Sequence, residues 1–541
     1  MYQVTKRFHR DRSGNFAMFG AILCVPLVLG AGVAIDLSTV SRYRAELQQA
    51  IDAATLAVAR EGKNINDAQA QAIADQFLTG NLDPTYTRLV VVREETVVRV
   101  QAETRAPMAF GALLGYDEYP VVAAASADTA YTSYEIALVL DTTGSMQGGK
   151  LTAMKEAVIG LIDTMSGQVG NKDKLKFSLV PFSSFVNVGP EHGPKFDKDG
   201  RQIAGTGAKW LDLKGDSPIK QTELAQGVSR FQLYANLGQQ WSGCVEARPQ
   251  AGRDYDVTTA SADPVRPESL YVPAFAIDEP DSGGYANSYI KSNADPLGTT
   301  AKARKDRWAK YGVATDGGGL PLLNGVLSLV ANLLGLSSGQ TISIDTGPSG
   351  FQGFNKGPNF ACGTQPIVPL TNDYALLRSK VNSLQARGTT NITEGVAWGT
   401  RVLTPGEPFP QARDLRKGGV EKIMIVLTDG SNVLGNNNTG LRSSYSSYGF
   451  LIDGRLGTTS GNSAQTNSLM NDRTLAACAH AKEEGMLVYT IRLEEPDVKT
   501  GTMLRQCATS EGHYFDAPSR NQLDDVFQTI KDRIVRVRIA S

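Results

Sequence analysis

Residues 16–35 read FAMFGAILCVPLVLGAGVAI, 20 residues without a charge. As a helix rising 1.5 Å per residue, such a run matches a hydrocarbon core about 30 Å thick, and it predicts a membrane-spanning segment. Lys6, Arg7, Arg10 and Arg12 precede it with a single Asp11, so residues 1–15 form a basic head of charge +3 (four cations, one anion), and Asp36 follows the run. By the positive-inside rule this order predicts a cytoplasmic head and an exported remainder. A cleaved signal peptide is the competing reading, because Gly30, Ala31 and Gly32 are small residues near the end of the run. The length of the run favours an anchor, and so does the pattern that continues it. Over residues 36–62, Val40, Tyr43, Leu47, Ile51, Ala54 and Val58 recur at spacings of three and four, which predicts an amphipathic helix. Gly14 stands ahead of the apolar stretch as in pilin precursors, but the fifth residue after it is Phe19 in place of the Glu such processing expects.

The rest of the chain is ordinary in composition. Its 541 residues hold 54 Lys and Arg against 55 Asp and Glu, a net charge of -1, which leaves -4 outside the head (-1 minus 3). That balance excludes a basic nucleic-acid binder, and 41% hydrophobic residues exclude a disordered chain. Residues 63–130 read as a small α+β unit, with a helix over 66–77, alternating strands over 88–92 and 97–102, and an Ala/Val-rich stretch at 121–127. Over residues 134–541 near-continuous apolar strands, at 135–140 (EIALVL), 175–181, 422–427 (KIMIVL), 486–493 and 513–515, alternate with helices at 151–165, 372–384, 393–402, 474–484 and 521–534. This alternation predicts an α/β fold with a doubly wound, mostly parallel, Rossmann-like sheet that binds ligands outside the carboxyl ends of its strands. The alternation stops over 184–366, a stretch rich in Gly, Ser, Asn and Tyr that reads as a large insertion domain in a surface loop. Within it, the apolar piece 320–336 is expected to be a helix buried in the insertion core, with a membrane or partner contact as the second reading.

The first strand of the large unit ends in Asp141-Thr142-Thr143-Gly144-Ser145. This turn presents Asp, Thr and Ser oxygens at i, i+2 and i+4 where ligands are expected, a hard-oxygen set suited to Mg2+ or Mn2+. Two later element ends complete it: Gly388-Thr389-Thr390-Asn391-Ile392, and Leu427-Thr428-Asp429-Gly430. The four histidines, at 9, 192, 480 and 513, lack the spacing of a zinc site. Asp197-Lys198-Asp199-Gly200 lacks the third acid and the Glu of a calcium loop and reads as a turn.

DTTGS resembles the D-x-S/T-x-S metal-ion-dependent adhesion motif of von Willebrand factor type A domains, with GTTNI like their threonine loop and LTDG like their second aspartate. The resemblance implies a metal site with Asp141, Thr143 and Ser145 as its first loop, Thr390 as its second and Asp429 as its third. It implies Mg2+, or Mn2+ or Ca2+, with an open position that a carboxylate of a protein partner fills. A second resemblance covers RDRSGNFAMFGAILCVPLVLGAGVAIDL, RYRAELQQAIDAATLAVA, WSGCVEARP at 241–249 and LRQCATSEGHYFDAP. These segments are similar to TadE/TadG-like pilus-assembly proteins of bacterial tight-adherence systems. That resemblance implies a single-pass protein of the bacterial cell membrane whose bulk is periplasmic or on the cell surface. It would act with other pilus-assembly components in Flp/Tad-type pilus assembly and adhesion. A surface adhesin contacting host or matrix directly is the second reading.

Export places Cys24 inside the membrane helix and leaves Cys244, Cys362, Cys478 and Cys507 available for disulfides, with three connectivities open. Pairing neighbours would staple the insertion to its stem and tie the last helical layer together; a cytosolic chain would keep all four reduced. No catalytic residue is expected. A D-x-D phosphotransferase loop is broken by Thr143, and no P-loop, G-x-S-x-G elbow or HExxH is present, so a metal-dependent hydrolase is disfavoured against a binding protein.

Overall fold

The computed structural model describes the chain apart from residues 1–14, 62–64, 83–84, 95–96, 129–132, 170, 222, 225–226, 251–253, 283, 292–309, 312–340, 347–352, 416–418, 436–444 and 541. The basic head up to residue 14 and the apolar piece 320–336 lie outside the described residues. The chain forms two compact units, the second made of Ser133–Arg416 and Val420–Val537.

In the first unit the expected membrane segment and amphipathic helix are one helix, α1 (Asn15–Glu61). Its first part leaves Phe19, Ile22, Leu27 and Val33 more than half exposed, and among the described residues it is the helix long and apolar enough to cross a membrane. Beyond Asp36 the stripe read from the sequence goes inward. Leu47, Ile51, Ala54 and Val58 are buried, in one cluster with α2 (Asp67–Asn81) and an antiparallel sheet of β1 (Tyr86–Arg93), β2 (Val97–Pro107) and β3 (Glu118–Asp128), in the order β1-β2-β3. The strand period of two is visible in β2, where Val98, Val100, Ala102 and Ala106 are buried and Arg99, Gln101 and Arg105 are exposed. A capping box starts α2: Asn66 Oδ1 accepts from the Gln69 N–H at 2.8 Å, and Gln69 Oε1 accepts from the Asn66 N–H at 2.8 Å.

The second unit runs β4 (Ser133–Asp141), α3 (Gly149–Gln168), β5 (Leu175–Phe182), β6 (Val186–Asn187), α4 (Arg230–Asn236), β7 (Cys244–Val245), β8 (Ile290–Lys291), β9 (Thr341–Ile342) and β10 (Val368–Thr371). It continues with α5 (Tyr374–Ser383), α6 (Ile392–Val402), β11 (Val420–Thr428), α7 (Ser463–Glu483), β12 (Leu487–Leu493), α8 (Val498–Cys507), β13 (Tyr514–Ala517) and α9 (Leu523–Ala540). Its main sheet has the order β13-β12-β11-β4-β5-β6-β7, with β10 also on β5. Neighbours from β13 to β5 pair parallel, whereas β6, β7 and β10 pair antiparallel. The sheet is therefore mixed, where a mostly parallel one is expected from the sequence. Only residues 183–185 separate β5 from β6, too few for the crossover that a parallel neighbour needs, so the chain doubles back.

Alternate residues of the central strands supply two cores. Ile136, Leu138 and Leu140 of β4 with Ile423, Ile425 and Leu427 of β11 bury against α3, α5 and α9. Ala137, Val139, Met424 and Val426 bury against α6, α7 and α8. The second of these clusters also contains Trp210, Phe231, Tyr234, Tyr271, Phe275 and Tyr289, so described residues of the 184–366 stretch share the core of the sheet.

WSGCVEARP has a structural role in this packing. Trp241 lies edge-on against Phe231 at 5.2 Å, and buried Glu246 pairs with Arg230 at 2.6 Å and Arg455 at 2.5 Å. Arg248 donates to the carbonyls of Tyr255, Thr258, Ala260 and Ser269 at 2.6–3.1 Å, satisfying a buried guanidinium with backbone oxygens. His480 Nε2 accepts from the Thr259 N–H at 3.1 Å, a packing role, and Asp197 Oδ1 closes the expected turn through the Asp199 and Arg201 N–H groups, both at 2.9 Å.

The cysteines pair as neighbours, Cys244 with Cys362 and Cys478 with Cys507, across separations of 118 and 29 residues, and Cys24 is free. Closing the longer loop removes more freedom from the unfolded chain, about 5 kcal/mol against about 3.5 for the shorter in the chain-entropy model. Urea unfolding of the Cys244→Ser/Cys362→Ser and Cys478→Ser/Cys507→Ser variants is expected to show the first as the more destabilised; the reverse order would contradict the entropic account.

Candidate metal site at the strand ends

β4 and β11 are adjacent and parallel, with Leu140 opposite Leu427, so Asp141 and Asp429 emerge side by side at the carboxyl end of the sheet. Asp141 is fully buried and Asp429 nearly so. The Thr143 N–H donates to Asp141 Oδ1 at 2.8 Å and Thr428 Oγ1 donates to Asp141 Oδ2 at 2.6 Å. Ser145 Oγ donates to Asp429 Oδ1 at 2.6 Å and is 3.0 Å from Thr143 Oγ1, while Lys150 Nζ, on the first turn of α3, holds Asp429 Oδ2 at 2.7 Å. Four of the five expected ligands thus form one hydrogen-bonded chain. Thr390 closes the circle from the opposite loop: a side chain at Gly430 would begin 3.5 Å from Thr390 Oγ1, 3.7 Å from Ser145 Oγ and 3.8 Å from Glu495 Oε2.

The three loops are fastened to each other through backbone groups. The Gly144 N–H donates to the Gly388 carbonyl at 3.0 Å, the Arg387 N–H to the Thr142 carbonyl at 2.7 Å, and the Val433 N–H to the Thr390 carbonyl at 2.8 Å. Beneath Thr390, α6 starts at the N-cap Asn391 and lies close on the sheet. A Cβ on Gly395 would meet Phe182 at 2.6 Å and one on Gly399 would meet Val139 at 2.6 Å, so only glycine allows this approach.

Burial, reinforced by the charge of Asp429, pushes the Asp141 carboxyl up to about 7 against the hydrogen bonds from Thr428 and Thr143. Two carboxylates facing each other among hydroxyls are therefore short of positive charge, which Lys150 supplies on one side alone. Among the described residues no cluster of three His, Cys, Asp or Glu side chains suits a metal. An ion at this site would rest on two carboxylates and on the hydroxyls of Thr143, Ser145 and Thr390, a donor set that fits a hard cation such as Mg2+. Thr428, Lys150 and Glu495 are site neighbours that motif reading overlooks. Thr428 was visible as the residue preceding Asp429, whereas nothing local marks Lys150 or Glu495.

Fold and crevice together describe a mixed α/β unit with an oxygen-lined site at its strand ends, carried by a chain that opens with a long apolar helix. Residues 14–61 match the family model of putative Flp pilus-assembly TadE/G-like proteins. Among solved structures, the chain is similar to the pilus adhesin SpaC from Lactobacillus rhamnosus GG at 11% identity and TM-score 0.31, covering 83% of this chain and 33% of that one. It is similar to the vWF domain of the type V pili tip protein Mfa5 from Porphyromonas gingivalis at 9% identity and TM-score 0.31, covering 75% and 96%. A von Willebrand factor type A protein from Catenulispora acidiphila is similar at 10% identity and TM-score 0.25, covering 83% and 50%. The chain thus spans about a third of the length of the Lactobacillus adhesin. No curated protein matches the sequence.

Burial also pushes Glu394 and Glu421 up to about 7. A carboxyl raised in the folded state holds its proton more tightly there than in the unfolded chain, so its stabilising effect is complete below the ordinary value near 4 and is lost as pH rises towards 7. In EDTA the second unit is expected to lose stability over that window, by on the order of 1 kcal/mol per pH unit for each such group, and Asp141→Asn should reduce the slope. Thermal melts from pH 4 to 7 measure it, and a flat profile would contradict the burial of these carboxyls.

Proposed function

We propose that this protein is a membrane-anchored, extracytoplasmic binding protein of a Flp/Tad-type pilus-assembly system. Its second unit would be a type A-like domain that holds a divalent metal and, through it, a protein partner. The observation that carries the reading is the convergence of Asp141, Thr143, Ser145 and Asp429, with Thr390 across from them, at the ends of adjacent parallel strands. Parallel neighbours in the order β13-β12-β11-β4-β5, with helices on both faces, support a doubly wound reading of this part of the sheet. The match at residues 14–61 supports the pilus context, with other pilus-assembly components as partners. The apolar part of α1 supports a single-pass anchor with the basic head in the cytoplasm, and two disulfides agree with an oxidising compartment.

In this reading Mg2+ is held by Asp141 and Asp429 with the three hydroxyls, and the bound ion offers an open position to a carboxylate of the partner. The protein's own part is to hold the three loops rigid before the ion arrives, through the Gly144–Gly388, Arg387–Thr142 and Val433–Thr390 backbone bonds. No group in the crevice is assigned to bond-making, and the protein acts by binding. A surface adhesin that contacts host or matrix directly would use the same site.

Mg2+ at about 100 times its dissociation constant should stabilise the wild-type unit by about 2.7 kcal/mol. Asp141→Ala should keep its circular dichroism spectrum, lose that stabilisation, and lose partner capture; binding unchanged by EDTA would sink the metal reading. For topology, a periplasmic alkaline phosphatase fused after residue 130 is expected to be active, and an inactive fusion would refute export.

A further inference from the structure

The β2–β3 connection of the first unit folds back onto α1 at the end of its apolar run. The Ala109 N–H donates to Asp36 Oδ1 at 2.8 Å, the Phe110 N–H to Asp36 Oδ2 at 3.1 Å, and the Gly111 N–H to Asp36 Oδ2 at 2.7 Å. One turn earlier on the same helix face, Gly32 makes room for Phe110: a Cβ on Gly32 would lie 2.3 Å from the Phe110 ring. The contact therefore sits within the last turn of the uncharged run, where α1 leaves Leu29 and Val33 about half exposed. From this clamp the chain makes a tight 3-10 turn over Gly111–Leu114, closed by Gly115 in the left-handed region at φ 86°. At about 2 Å rise per residue, Leu113 and Leu114 lie within about 6 Å of the clamped Gly111 along the turn. Both point away from the core of the unit, Leu113 77% exposed, Leu114 70% and the following Tyr116 68%.

Three large apolar or amphipathic side chains, consecutive but for one glycine and mostly exposed, form the kind of patch that marks a contact with a partner or a membrane. They fit a bilayer surface, where Leu buries in the acyl boundary and Tyr sits at the headgroups. The clamp suits the same place, because backbone N–H groups near hydrocarbon need partners that water does not supply, and Asp36 satisfies three of them. We infer that the 111–116 turn is a second membrane contact, dipping into the outer-leaflet interface beside the spanning helix and fixing the depth at which the first unit sits. The inference rests on the anchoring reading above. No charged residue lies between Phe110 and Tyr116, and the exposed acids Asp117 and Glu118 follow where the chain would return to water.

The test is depth-dependent quenching in the full chain, reconstituted into phosphatidylcholine vesicles that contain lipids spin-labelled near the headgroup or at mid-chain. An environment-sensitive fluorophore is attached to native Cys24, or, in a Cys24→Ser background, to Leu113→Cys or to Gln76→Cys, an exposed polar position on α2. The expected result is blue-shifted emission and loss of intensity at position 113 with the headgroup-proximal spin label, strong loss at Cys24 with the mid-chain label, and little loss at position 76. Quenching at Cys24 with none at 113, or with equal quenching at 113 and 76, overturns the inference and leaves the anchor standing. Absence of quenching at Cys24 overturns the anchor and the inference together. Leu114→Cys repeats the measurement independently of any local disturbance at 113.

Discussion

β4 and β11 are buried on both faces over nearly their whole length, and a strand so placed has room for charge only at its ends. The rest of the second unit follows from this constraint. At the amino ends Glu135 and Lys422 lie 3.8 Å apart, and Glu421 is buried beside them. At the carboxyl ends, one step past the Leu140–Leu427 pair, come the polar residues Asp141 and Thr428 with Asp429 next in the chain, so parallel pairing brings the two carboxyls close together. The sheet thus concentrates two like charges at one point, and the loops around that point are spent on hydroxyls and backbone donors that make the concentration tolerable.

How the tolerance is divided explains the shape of the crevice. Asp429 has a full cation, Lys150, on one oxygen and the Ser145 hydroxyl on the other, whereas Asp141 has neutral donors, the hydroxyls of Thr428 and Thr143 and the Thr143 N–H. The asymmetry leaves Asp141 as the carboxyl that burial raises to about 7. A divalent ion between them would reverse that logic by placing its own charge where a proton otherwise sits. Lys150 is then the side chain that such an ion must compete with for Asp429, and its position on the first turn of α3 ties that competition to the helix that follows the first ligand loop.

Much of this was legible in the sequence, for reasons that differ by element. The runs EIALVL and KIMIVL announce central strands because burial on both faces leaves each with five consecutive apolar residues behind one charged residue at its amino end, and the stripe from Leu47 to Val58 announces a buried helix face because period alone determines it. The ligand loops were legible because each lies within a few residues of a strand or helix end. What stayed hidden depends on distant partners. Asp36 opens the expected amphipathic helix, yet nothing near it in the sequence shows that the amides of residues 109–111, more than 70 positions away, meet its charge. The antiparallel strands β6, β7 and β10 are two to four residues long, too short to show a period. Helix α8 was missed although Asp497 caps it by accepting from the Thr500 N–H at 2.8 Å, because its buried Gly501 and Thr500 do not register as an apolar stripe.

The insertion was the hardest part to read, and its contacts argue that it is more than a decoration on the sheet. Ser447 joins three otherwise separate segments. Its Oγ accepts from Asn391 Nδ2 at 2.9 Å, its carbonyl accepts from the Ala247 N–H at 2.8 Å, and its own N–H donates to the Ser184 carbonyl at 3.3 Å. Asn391 adjoins the ligand Thr390, Ala247 belongs to WSGCVEARP, and Ser184 starts the insertion; Ser184 Oγ in turn lies 2.9 Å from Thr389 Oγ1. The buried Glu246–Arg455 pair runs parallel to this link. A buried ion pair adds little net stability but strongly disfavours any arrangement that separates its members. The insertion therefore links the threonine loop to the segment around Ser447, and the disulfide from Cys244 to Cys362 ties two of its parts together at the β7 edge of the sheet.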